Sequence, residues 1–356
     1  MSIPIHVLHR VLHRNTKSGT SLQSHTKRLL LIAIALLLPQ GAFGEDAAAK
    51  QRDGLYGRAK RASVEVLVDD HLQGTGWFAD KSGLVVTVAH MFDRPGRRVE
   101  ILSPVAGRVE AKVIAVDLGA DSALLRVKPR EGGYPAFPLA KEIPPPGRDV
   151  FLFGTPIYRH GVLLRGAVAR NDTTFEYYGD RNLYTEIVHL SGQGPHGVSG
   201  GPWMNREGEI VGMQSGVMTN KDAPMGVAFM VPVDAIRRLL QTKRTAETPT
   251  LGVAVEETWQ QQPDFLKRFP RQTEGLVAKI IQKDGPAARA KLKQWDVITA
   301  IDGKKVRMPD ELLRYVRTKK PGDSVMLTVL GPDGTGQRKL DVRLGRLEAA
   351  WPAAKK

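Results

Sequence analysis

Between residues 60 and 230, short apolar stretches alternate with turns rich in glycine, proline and aspartate. Alternation of apolar and polar side chains with a period of two is typical of strands that bury one face. No stretch of about twelve residues here has the spacing of an amphipathic helix, which argues against β-α-β units. The pattern therefore predicts an antiparallel β barrel or sandwich. The predicted strands are SVEVLV, GLVVTVAH, RVEAKVIAV, SALLRV, DVFLFG and LYTEIVHL.

The first segment with helical spacing comes later, at residues 233–243. There Ile236, Leu239 and Leu240 fall on one face of the predicted helix. The polar residues 244–249, which end in a proline, are typical of a linker. Since the chain has 356 residues, it is long enough for two cores, and we expect one domain on each side of this linker.

The N-terminus has the organisation of a secretory signal. Residues 1–28 carry five basic side chains and no acidic one, ten apolar residues run from Leu29 to Leu38, and AFG follows at 42–44. A basic region, a short apolar core and small residues at the exit predict a signal peptide over residues 1–44, and hence a periplasmic or secreted protein. The alternative is an uncleaved segment that tethers the protein to the inner membrane, although the apolar run is short for a bilayer core of about 30 Å.

Composition excludes several kinds of chemistry. The absence of cysteine rules out disulfides, thiolate metal sites and a cysteine nucleophile. The formal net charge is +15 at pH 7, and +10 without residues 1–44. Because the basic residues are scattered and no nucleic-acid-binding motif accompanies them, we predict a solvated basic surface and no nucleic-acid partner. We expect neither a metal nor a cofactor.

Candidate chemistry centres on Ser199, which stands among glycines in HGVSGGPWM, residues 196–204. Such glycines either permit a tight turn with positive φ or bring backbone N–H groups close to a reacting carbonyl beside a nucleophile. The stretch also fits the Gly-x-Ser-x-Gly elbow of α/β-hydrolases, in which the histidine follows the serine. Here His196 is the last histidine of the sequence, so the elbow interpretation fails.

A base for Ser199 must therefore come from upstream. His90 ends an apolar predicted strand, the kind of rigid support that a catalytic imidazole needs. His196 lies only three residues from the serine, too close to approach it from the side. The acid that orients the imidazole is Asp117 or Asp121, and Asp121 directly precedes an apolar strand. The other histidines beyond residue 44 are His71, His160 and His189.

These residues carry a resemblance to a known family. Four stretches stand in the order and at the spacings of trypsin-like serine proteases, and they most resemble the HtrA (high-temperature requirement A) family: GTGWFAD, VVTVAHMF, GADSALLRV and HGVSGGPWM. The stretch GVAFMVPVDAIRRLL is similar to the end of that family's protease domain. Two later stretches resemble its PDZ domain: GLVAKIIQKDGPAARAKLKQWDVITAIDGKKV and PGDSVMLTVL. The resemblance covers about residues 60–346.

The resemblance implies a mainly β fold. A chymotrypsin-like double β-barrel, with the active site in the cleft between two six-stranded barrels, is expected to precede a small β-rich PDZ domain with two helices. The implied protease domain covers residues 45–243 and the PDZ domain residues 250–346. Residues 244–249 form the linker between them, and 347–356 form a C-terminal tail.

Carried over residue by residue, the family's motif implies that Ser199 is the nucleophile, that His90 is the general base and then acid, and that Asp121 orients His90. The N–H groups of Gly197 and Ser199 are implied to form the oxyanion hole. Val198 stands where the family usually has asparagine. Because a β-branched residue restricts the backbone between the two donors, the sequence leaves two alternatives open, a hole that is formed at rest and one that is misformed, as in zymogen-like states of such proteases.

Two binding regions are also implied. By analogy the S1 pocket is lined by residues of GMQSGV, namely Met213, Gln214, Ser215 and Gly216. No acid is among them, so we expect cleavage after small or medium apolar residues. In the PDZ domain, TLGV is implied to bind a C-terminal carboxylate through Leu251, Gly252 and Val253. The alternative is that TLGV is only the first strand of that domain.

The implied function is a serine endopeptidase that degrades misfolded or damaged envelope proteins, with PDZ-assisted binding of unfolded proteins or peptides. The alternative is a peptide-binding or chaperone module with a silent or zymogen-like protease domain. The family also suggests a homotrimer built through the N-terminal segment DGLYGRAKRA, in which Tyr56 is the only aromatic residue. Lys291 and Trp295 depart from the family's pattern, since glycines usually stand at these turns.

Overall fold

The computed structural model describes residues 54–92 and 96–348. The predicted signal segment lies outside the described residues. Helix α1 (Leu55–Ala62) comes first and buries Ala59 and Ala62. The hydrophobic pattern did not predict this helix because two alanines carry little periodic signal. Within the described ranges, no helix combines the length and the apolar composition that crossing a membrane requires.

Six antiparallel strands close into a first barrel in the order β1-β2-β3-β6-β5-β4. A 3-10 turn (Ala89–Met91) follows β3, and another (Leu118–Ala120) leads into β6. The barrel interior is apolar, with Trp77 and Leu124 wholly buried. The strands are β1 (Ser63–Val68), β2 (His71–Phe78), β3 (Leu84–Thr87), β4 (Val99–Ser103), β5 (Gly107–Asp117) and β6 (Ser122–Val127).

A second closed barrel has the order β10-β11-β12-β9-β8-β7. Its core contains Trp203, whose indole N–H donates to Oε1 of Gln214 at 2.8 Å. Helix α2 (Val233–Thr242) follows the last strand and confirms the predicted helix. Its residues Ile236 and Leu239 share a hydrophobic cluster with residues of β3 and β6, so α2 packs the second barrel onto the first. The strands are β7 (Asp149–Gly154), β8 (Val162–Tyr178), β9 (Leu183–Ser191), β10 (Pro202–Met204), β11 (Ile210–Asn220) and β12 (Ala223–Pro232).

A smaller β-rich unit follows residue 248. Its main sheet has the order β14-β15-β16-β18-β19, with β17 beside β16, and β13 pairs with β20. The strands are β13 (Pro249–Thr250), β14 (Val253–Glu257), β15 (Leu276–Ile281), β16 (Val297–Ile301), β17 (Lys304–Lys305), β18 (Ser324–Leu330), β19 (Arg338–Arg343) and β20 (Gly345–Arg346). The helices are α3 (Pro263–Leu266), α4 (Pro286–Arg289) and α5 (Pro309–Val316). The sequence implied two helices in this unit. Its described part has three, because the single turn α3 was not predicted.

Two turns of this unit keep a left-handed backbone although the sequence places large residues there. Lys291 has φ 63° and Trp295 has φ 74°. This conformation costs a residue with a Cβ about 1–2 kcal/mol. At Trp295 the backbone N–H donates to the Ala278 carbonyl at 2.8 Å, and the ring lies 4.1 Å from the Lys279 ammonium. These contacts offset part of the cost, so the turn retains a geometry that glycine adopts more easily.

The segment predicted as a linker, residues 244–249, is attached to the first barrel. Ala246 donates its N–H to the Val116 carbonyl at 2.9 Å, and the Thr248 hydroxyl lies 3.4 Å from Oδ1 of Asp117. On its other side, Thr248 accepts the N–H of Leu347 at 2.7 Å. Because its backbone groups bond to the first barrel on one side and to Leu347 on the other, the segment holds the smaller unit against the end of β5.

Candidate active site

The turns after β3 and β5 bring a histidine and a carboxylate together. Nδ1 of His90 lies 2.8 Å from Oδ2 of Asp121, and the backbone N–H of His90 donates to Oδ1 at 3.0 Å. In return the Asp121 carbonyl accepts the N–H of Ala89 at 3.2 Å. His90 itself belongs to the 3-10 turn that follows β3, so it does not end the strand as predicted. The three contacts nevertheless hold the imidazole in one orientation.

Asp121 is 1% exposed and has a left-handed backbone, with φ 43° and ψ 44°. Ser215 donates its hydroxyl to Oδ2 at 2.5 Å, and Nη1 of Arg181 lies 3.1 Å from Oδ1. Burial alone would raise the pKa of this carboxyl, but the charges of His90 and Arg181 and the hydrogen bonds from His90 and Ser215 hold the pKa well below its usual range. Asp121 is therefore a carboxylate at neutral and mildly acidic pH.

Two side chains at the end of the β8–β9 hairpin cover this carboxylate. The Arg181 guanidinium lies 3.9 Å from the centre of the Tyr178 ring, and the Tyr178 hydroxyl is 3.2 Å from Oγ of Ser215. Burial, together with the charge of Asp121, raises the pKa of Tyr178, so its hydroxyl stays protonated. Sequence reasoning missed both residues. No local motif marks them, because the contact joins distant parts of the chain.

Asp117, the other candidate acid, has a different task. Its Oδ1 accepts the backbone N–H groups of Gly119 at 2.9 Å and Ala120 at 3.2 Å. It thereby caps the 3-10 turn that leads to Asp121. The structure thus brings Asp121 to His90 and uses Asp117 to shape the turn between them.

Ser199 and His90 both line each of two cavities. A cavity of about 630 Å³ extends past Ser215 and Gly216, and one of about 290 Å³ extends past Gly197. In the described part of the chain, no hydrogen bond joins Oγ of Ser199 to His90, an arrangement that is common before substrate binds. An extended peptide that crossed Ser199 would enter both cavities.

The glycine-rich loop leaves two backbone N–H groups without an acceptor among the described residues. Gly197 has φ 95°, and a Cβ there would lie 2.2 Å from the Thr155 carbonyl oxygen, so only glycine fits. The His196 carbonyl accepts the N–H of Ile157 at 2.8 Å. Because C=O and N–H of a trans peptide point in opposite directions, the N–H of Gly197 points away from Ile157. Among the described residues, neither this N–H nor that of Ser199 has an acceptor. Both are available to an oxygen beside Ser199.

The side chain of Val198 points into the protein core. Its side chain is 1% exposed and packs against Gly154 within the core of the second barrel. Its N–H donates to the Pro195 carbonyl at 3.3 Å, so it turns away from the two free donors. Core packing therefore holds the β-branched side chain of Val198, and the formation of an oxyanion hole by the N–H groups of Gly197 and Ser199 stays a prediction.

The residues predicted for the S1 pocket separate into two groups. Ser215 and Gly216 line the larger cavity with Ser199, and they are joined by Val217 of the same stretch and by Gly194, which lies outside it. The pairing of β11 with β12 is irregular at Ser215, which is the signature of a bulge. A bulge changes the direction of successive side chains, so the alternation of a regular strand does not predict which of them face the cavity.

Met213 and Gln214 do not line this cavity. Met213 is wholly buried in the hydrophobic cluster that includes α2. Gln214 is 1% exposed, accepts the Trp203 indole N–H and donates Nε2 to the Gly216 carbonyl at 2.7 Å. Both residues therefore support the strand behind the cavity.

The predicted carboxylate-binding loop turns at Gly252, whose N–H already has an acceptor within the loop. Gly252 has φ 69°, and its N–H donates to Oγ1 of Thr250 at 3.1 Å. Leu251 and Val253 are buried, at 4% and 8% exposure. The loop leads into β14, an edge strand of its sheet, so the alternative interpretation of TLGV as only a strand does not describe it fully.

The groove beside β14 is closed by the β8–β9 hairpin. The N–H of Val255 donates to the Tyr184 hydroxyl at 2.9 Å, and that hydroxyl lies 3.3 Å from the Val255 carbonyl oxygen. Arg317 donates to the Tyr184 carbonyl at 2.9 Å, and only about 30 Å³ remains open. An added peptide strand would need the same backbone groups of Val255. Nearby, Asp310 accepts the N–H of Phe175 at 3.0 Å, which further attaches α5 to the hairpin.

Comparison with known proteins places this geometry in a family. Residues 74–213 match the model of the trypsin-like peptidase domain, and residues 249–343 match that of the PDZ domain. Serine protease HTRA1 of Xenopus laevis is 28% identical over 267 residues, covering 71% of this chain and 56% of that protein. A probable periplasmic serine endoprotease DegP-like of Ectopseudomonas mendocina is 30% identical over 283 residues, covering 77% and 56%. The chain belongs to the HtrA family.

Solved structures of other proteases share the fold of this HtrA-family chain. The HtrA-type protease AlgW, solved with a decapeptide, has a TM-score of 0.61 at 19% identity and covers 83% of this chain and 98% of its own. The serine endoprotease from Yersinia pestis has a TM-score of 0.57 at 20% identity and covers 83% and 97%. The chain spans about half the length of the curated relatives that it matches.

Because Asp121 contacts His90 and Asp117 caps the turn, we predict different effects when each is replaced by asparagine. Asp121→Asn should lower peptidase kcat/KM by about 10⁴-fold, because an amide favours the wrong imidazole tautomer. Asp117→Asn is the matched control. It should weaken the cap of the 3-10 turn, which contributes about 1 kcal/mol to the free energy of unfolding, and should keep most of the peptidase kcat/KM. Steady-state kinetics with thermal unfolding of both variants provides the measurement. A larger loss of rate in Asp117→Asn would show that the wrong acid was assigned.

Proposed function

We propose that the protein is a serine endopeptidase in which Ser199 is the nucleophile, His90 the general base and then acid, and Asp121 the residue that orients His90. The 2.8 Å contact between Nδ1 of His90 and Oδ2 of Asp121 carries the proposal. Because Nδ1 is engaged there, Nε2 is the nitrogen left to accept a proton. His90 and Ser199 line the same two cavities, which supports their joint role.

In the proposed reaction, Oγ of Ser199 attacks the scissile carbonyl carbon while its proton passes to Nε2 of His90. Asp121 stabilises the imidazolium, and the N–H groups of Gly197 and Ser199 bind the oxygen that becomes negative. The imidazolium then donates its proton to the leaving amine as the C–N bond breaks. Water hydrolyses the acyl-enzyme by the same route, which returns the proton to Ser199.

The proposed substrates are unfolded or damaged proteins of the cell envelope, cleaved in the periplasm or outside the cell as part of a stress response. Support comes from DegP-like relatives named as probable periplasmic endoproteases and from the signal-like pattern of residues 1–44. A homotrimer through the N-terminal segment remains part of the proposal. In this chain Tyr56 donates its hydroxyl to the Gly161 carbonyl at 3.0 Å and is 36% exposed.

For the residue before the scissile bond we propose a small or medium apolar side chain. Gly194, Ser215, Gly216 and Val217 offer no carboxylate to a basic side chain. Asp180 is at the same cavity, but it is exposed and has the Arg181 guanidinium 3.8 Å away. A peptide-library profile dominated by lysine or arginine at this position would contradict the proposal.

A silent protease domain attached to a peptide-binding module is the less supported alternative. A buried carboxylate with four donors is costly to maintain, and a domain without catalysis would have no use for the free N–H groups beside Ser199. Covalent labelling separates the two functions. A serine-directed sulfonyl fluoride should modify Ser199 in the peptidase and leave the silent module unlabelled.

Replacing the nucleophile tests the proposed function directly. Ser199→Ala should lower cleavage of an unfolded protein by at least about 10³-fold and abolish the label, because no neighbouring hydroxyl replaces the lost one. Ser191→Ala is the matched control, since Ser191 is an exposed serine at the end of β9. Thermal unfolding should show all three proteins folded. Proteolysis by purified Ser199→Ala above the rate in buffer would refute the assignment.

The pH dependence should report the imidazole. Because the pKa of Asp121 is held well below its usual range, Asp121 stays ionised at mildly acidic pH, and a fall of kcat/KM on acidification should come from protonation of the base and not of this carboxylate. We expect kcat/KM to fall, and not rise, at lower pH because a protonated His90 cannot accept the Ser199 proton. Asp121 should stabilise the fold above its unfolded pKa of about 3.9 and lose that effect only at lower pH, so circular dichroism should stay constant while kcat/KM falls. A flat rate between about pH 5 and 8 would argue against a histidine base.

For the PDZ domain we propose that the groove binds an apolar C-terminus once Tyr184 withdraws, with Leu251, Gly252 and Val253 receiving the carboxylate. Tyr184→Phe removes two hydrogen bonds to Val255. It should raise the affinity of the full chain for a peptide that ends in valine by about tenfold, since each such bond contributes about 0.5–1.5 kcal/mol. Calorimetric titration of the whole chain provides the measurement, and amidation of the peptide should abolish the binding.

The control for this titration is Tyr177→Phe. Tyr177 lies on the same hairpin, but its hydroxyl donates to Oδ1 of Asn182 at 2.8 Å. If Tyr177→Phe and Tyr184→Phe bind the peptide equally, closure by Tyr184 is wrong. If amidation leaves the affinity unchanged, capture of the carboxylate is wrong.

A further inference from the structure

The turn between β7 and β8 has a strained backbone next to the glycine-rich loop. Ile157 has φ 45° and ψ 52°, and the following residue, Tyr158, has φ 62°. The left-handed region is unfavourable for any residue with a Cβ and most unfavourable for a β-branched one such as isoleucine. A strained segment persists only when its surroundings fix its conformation. Contacts from outside the turn must therefore hold it in place.

One side chain of the first barrel holds both ends of this turn. Oε1 of Glu65, on β1, accepts the Thr155 hydroxyl at 2.7 Å, and Nδ1 of His160 lies 2.6 Å from the same oxygen. Thr155 precedes the strained residues and His160 follows them. The Glu65 side chain is 15% exposed, and Thr155 is 2% exposed. Glu65 therefore closes the turn across the boundary between the two barrels.

Packing on this side of the turn is incomplete. A cavity of about 330 Å³ borders Glu65, Thr155 and His160. An open space supplies no van der Waals contacts, so it does not restrain the side chains that face it. The two contacts to Oε1 of Glu65 therefore provide a restraint that packing does not supply here.

The strained turn contacts the loop that carries Ser199. The N–H of Ile157 donates to the His196 carbonyl at 2.8 Å. The Thr155 carbonyl oxygen is so close to Gly197 that a Cβ there would lie 2.2 Å from it. Because the His196 carbonyl and the Gly197 N–H belong to one planar peptide unit, a hydrogen bond to the carbonyl fixes the direction of the N–H. The orientation of this N–H therefore depends on the position of the turn.

We propose that Glu65 is a positioning residue for the hydrolytic reaction. It holds both ends of the strained turn, and the turn orients the Gly197 N–H toward the oxygen that becomes negative. The inference rests on the proposed endopeptidase function. Among the described residues that line the two cavities at Ser199, Glu65 is absent, so its effect reaches the reaction only through the turn.

Steady-state kinetics of Glu65→Ala tests this role, with an internally quenched peptide that has valine before the scissile bond. The variant should lower kcat by about tenfold or more, but by less than the roughly 10²–10³-fold that loss of an oxyanion donor causes. KM should change by less than about twofold, because the lost stabilisation belongs to the transition state and not to bound substrate. A rise in KM with unchanged kcat would overturn the proposal.

A transition-state analogue gives a second measurement on the same variant. A peptide boronic acid forms a tetrahedral adduct with a nucleophilic serine, and the oxygens of this adduct resemble the developing oxyanion. Its affinity for Glu65→Ala should fall by the same factor as kcat/KM, because both depend on the N–H donors. An affinity equal to that of wild-type protein would overturn the proposal.

Two further variants separate positioning from a general loss of structure. Glu65→Gln keeps an oxygen that accepts the Thr155 hydroxyl, so its kcat should stay within about threefold of wild type. Glu100→Ala is the matched control, since Glu100 lies on β4 of the same barrel, is also 15% exposed, and pairs with Arg108 at 2.6 Å. It should leave kcat and KM unchanged. Equal kcat for Glu65→Ala and Glu100→Ala would overturn the proposal.

Thr155→Val breaks the same contact from the other side and tests the proposal even if Glu65→Ala folds poorly. Valine has nearly the shape of threonine but lacks the hydroxyl that donates to Glu65. Thr155→Val should also lower kcat with little change in KM. The double variant should be no more than about twofold slower than Glu65→Ala, because both substitutions remove one shared interaction. Losses that multiply in the double variant would show that the two residues act separately, which would refute the proposal.

Wild-type activity distinguishes this proposal from the proposed function. Cleavage of the peptide at the same rate by wild-type protein and Glu65→Ala would contradict the positioning role alone. Absence of both cleavage and sulfonyl fluoride labelling in wild-type protein would contradict the endopeptidase and, with it, the positioning role.

Discussion

The charge of Asp121 is the constraint on which the rest of the cleft depends. A carboxylate that is 1% exposed is tolerated only when its lone pairs are used, and here all four contacts are supplied by protein groups. The groups of His90 come from the first barrel, the Ser215 hydroxyl from β11 and the Arg181 guanidinium from the β8–β9 hairpin. Since both barrels contribute, the carboxylate is satisfied only when they are packed in this one arrangement, and the same arrangement places His90 beside Ser199.

The β8–β9 hairpin joins this carboxylate to the smaller β unit. Arg181 contacts Asp121, while Tyr184, three residues later, holds the backbone of Val255. The groove and the cleft therefore share one structural element. If the hairpin moves as a unit, a peptide that displaces Tyr184 from the groove also changes the free energy of the contact between Arg181 and Asp121. By thermodynamic linkage, a change in that contact alters the affinity of the groove for the peptide by the same free energy.

Much of this protein could be predicted from the sequence because the relevant signals are local. Alternation of apolar side chains gave the bounds of SALLRV and DVFLFG as β6 and β7. The helix at 233–243 followed from its spacing, and α2 ends one residue earlier. The order of His90, Asp121 and Ser199, with the PDZ-like stretches after them, indicated the family. Such motifs survive in sequence because each needs particular residues within a few positions of one another.

Only the tertiary structure decided which side chains meet. The sequence offered both Asp117 and Asp121 and the resemblance implied Asp121, but only the structure shows that Asp117 caps the turn while Asp121 contacts His90. Met213 and Ser215 share a strand, but the bulge at Ser215 and the packing around Met213 determine which one reaches the cleft. Arg181 and Tyr184 act across contacts with distant strands, which leave no periodic trace in the sequence. The sequence by itself thus determined most secondary-structure elements, the family and the candidate chemistry, because these depend on neighbours along the chain. The tertiary structure decided the donors to Asp121 and the closure of the groove, because these depend on neighbours in space.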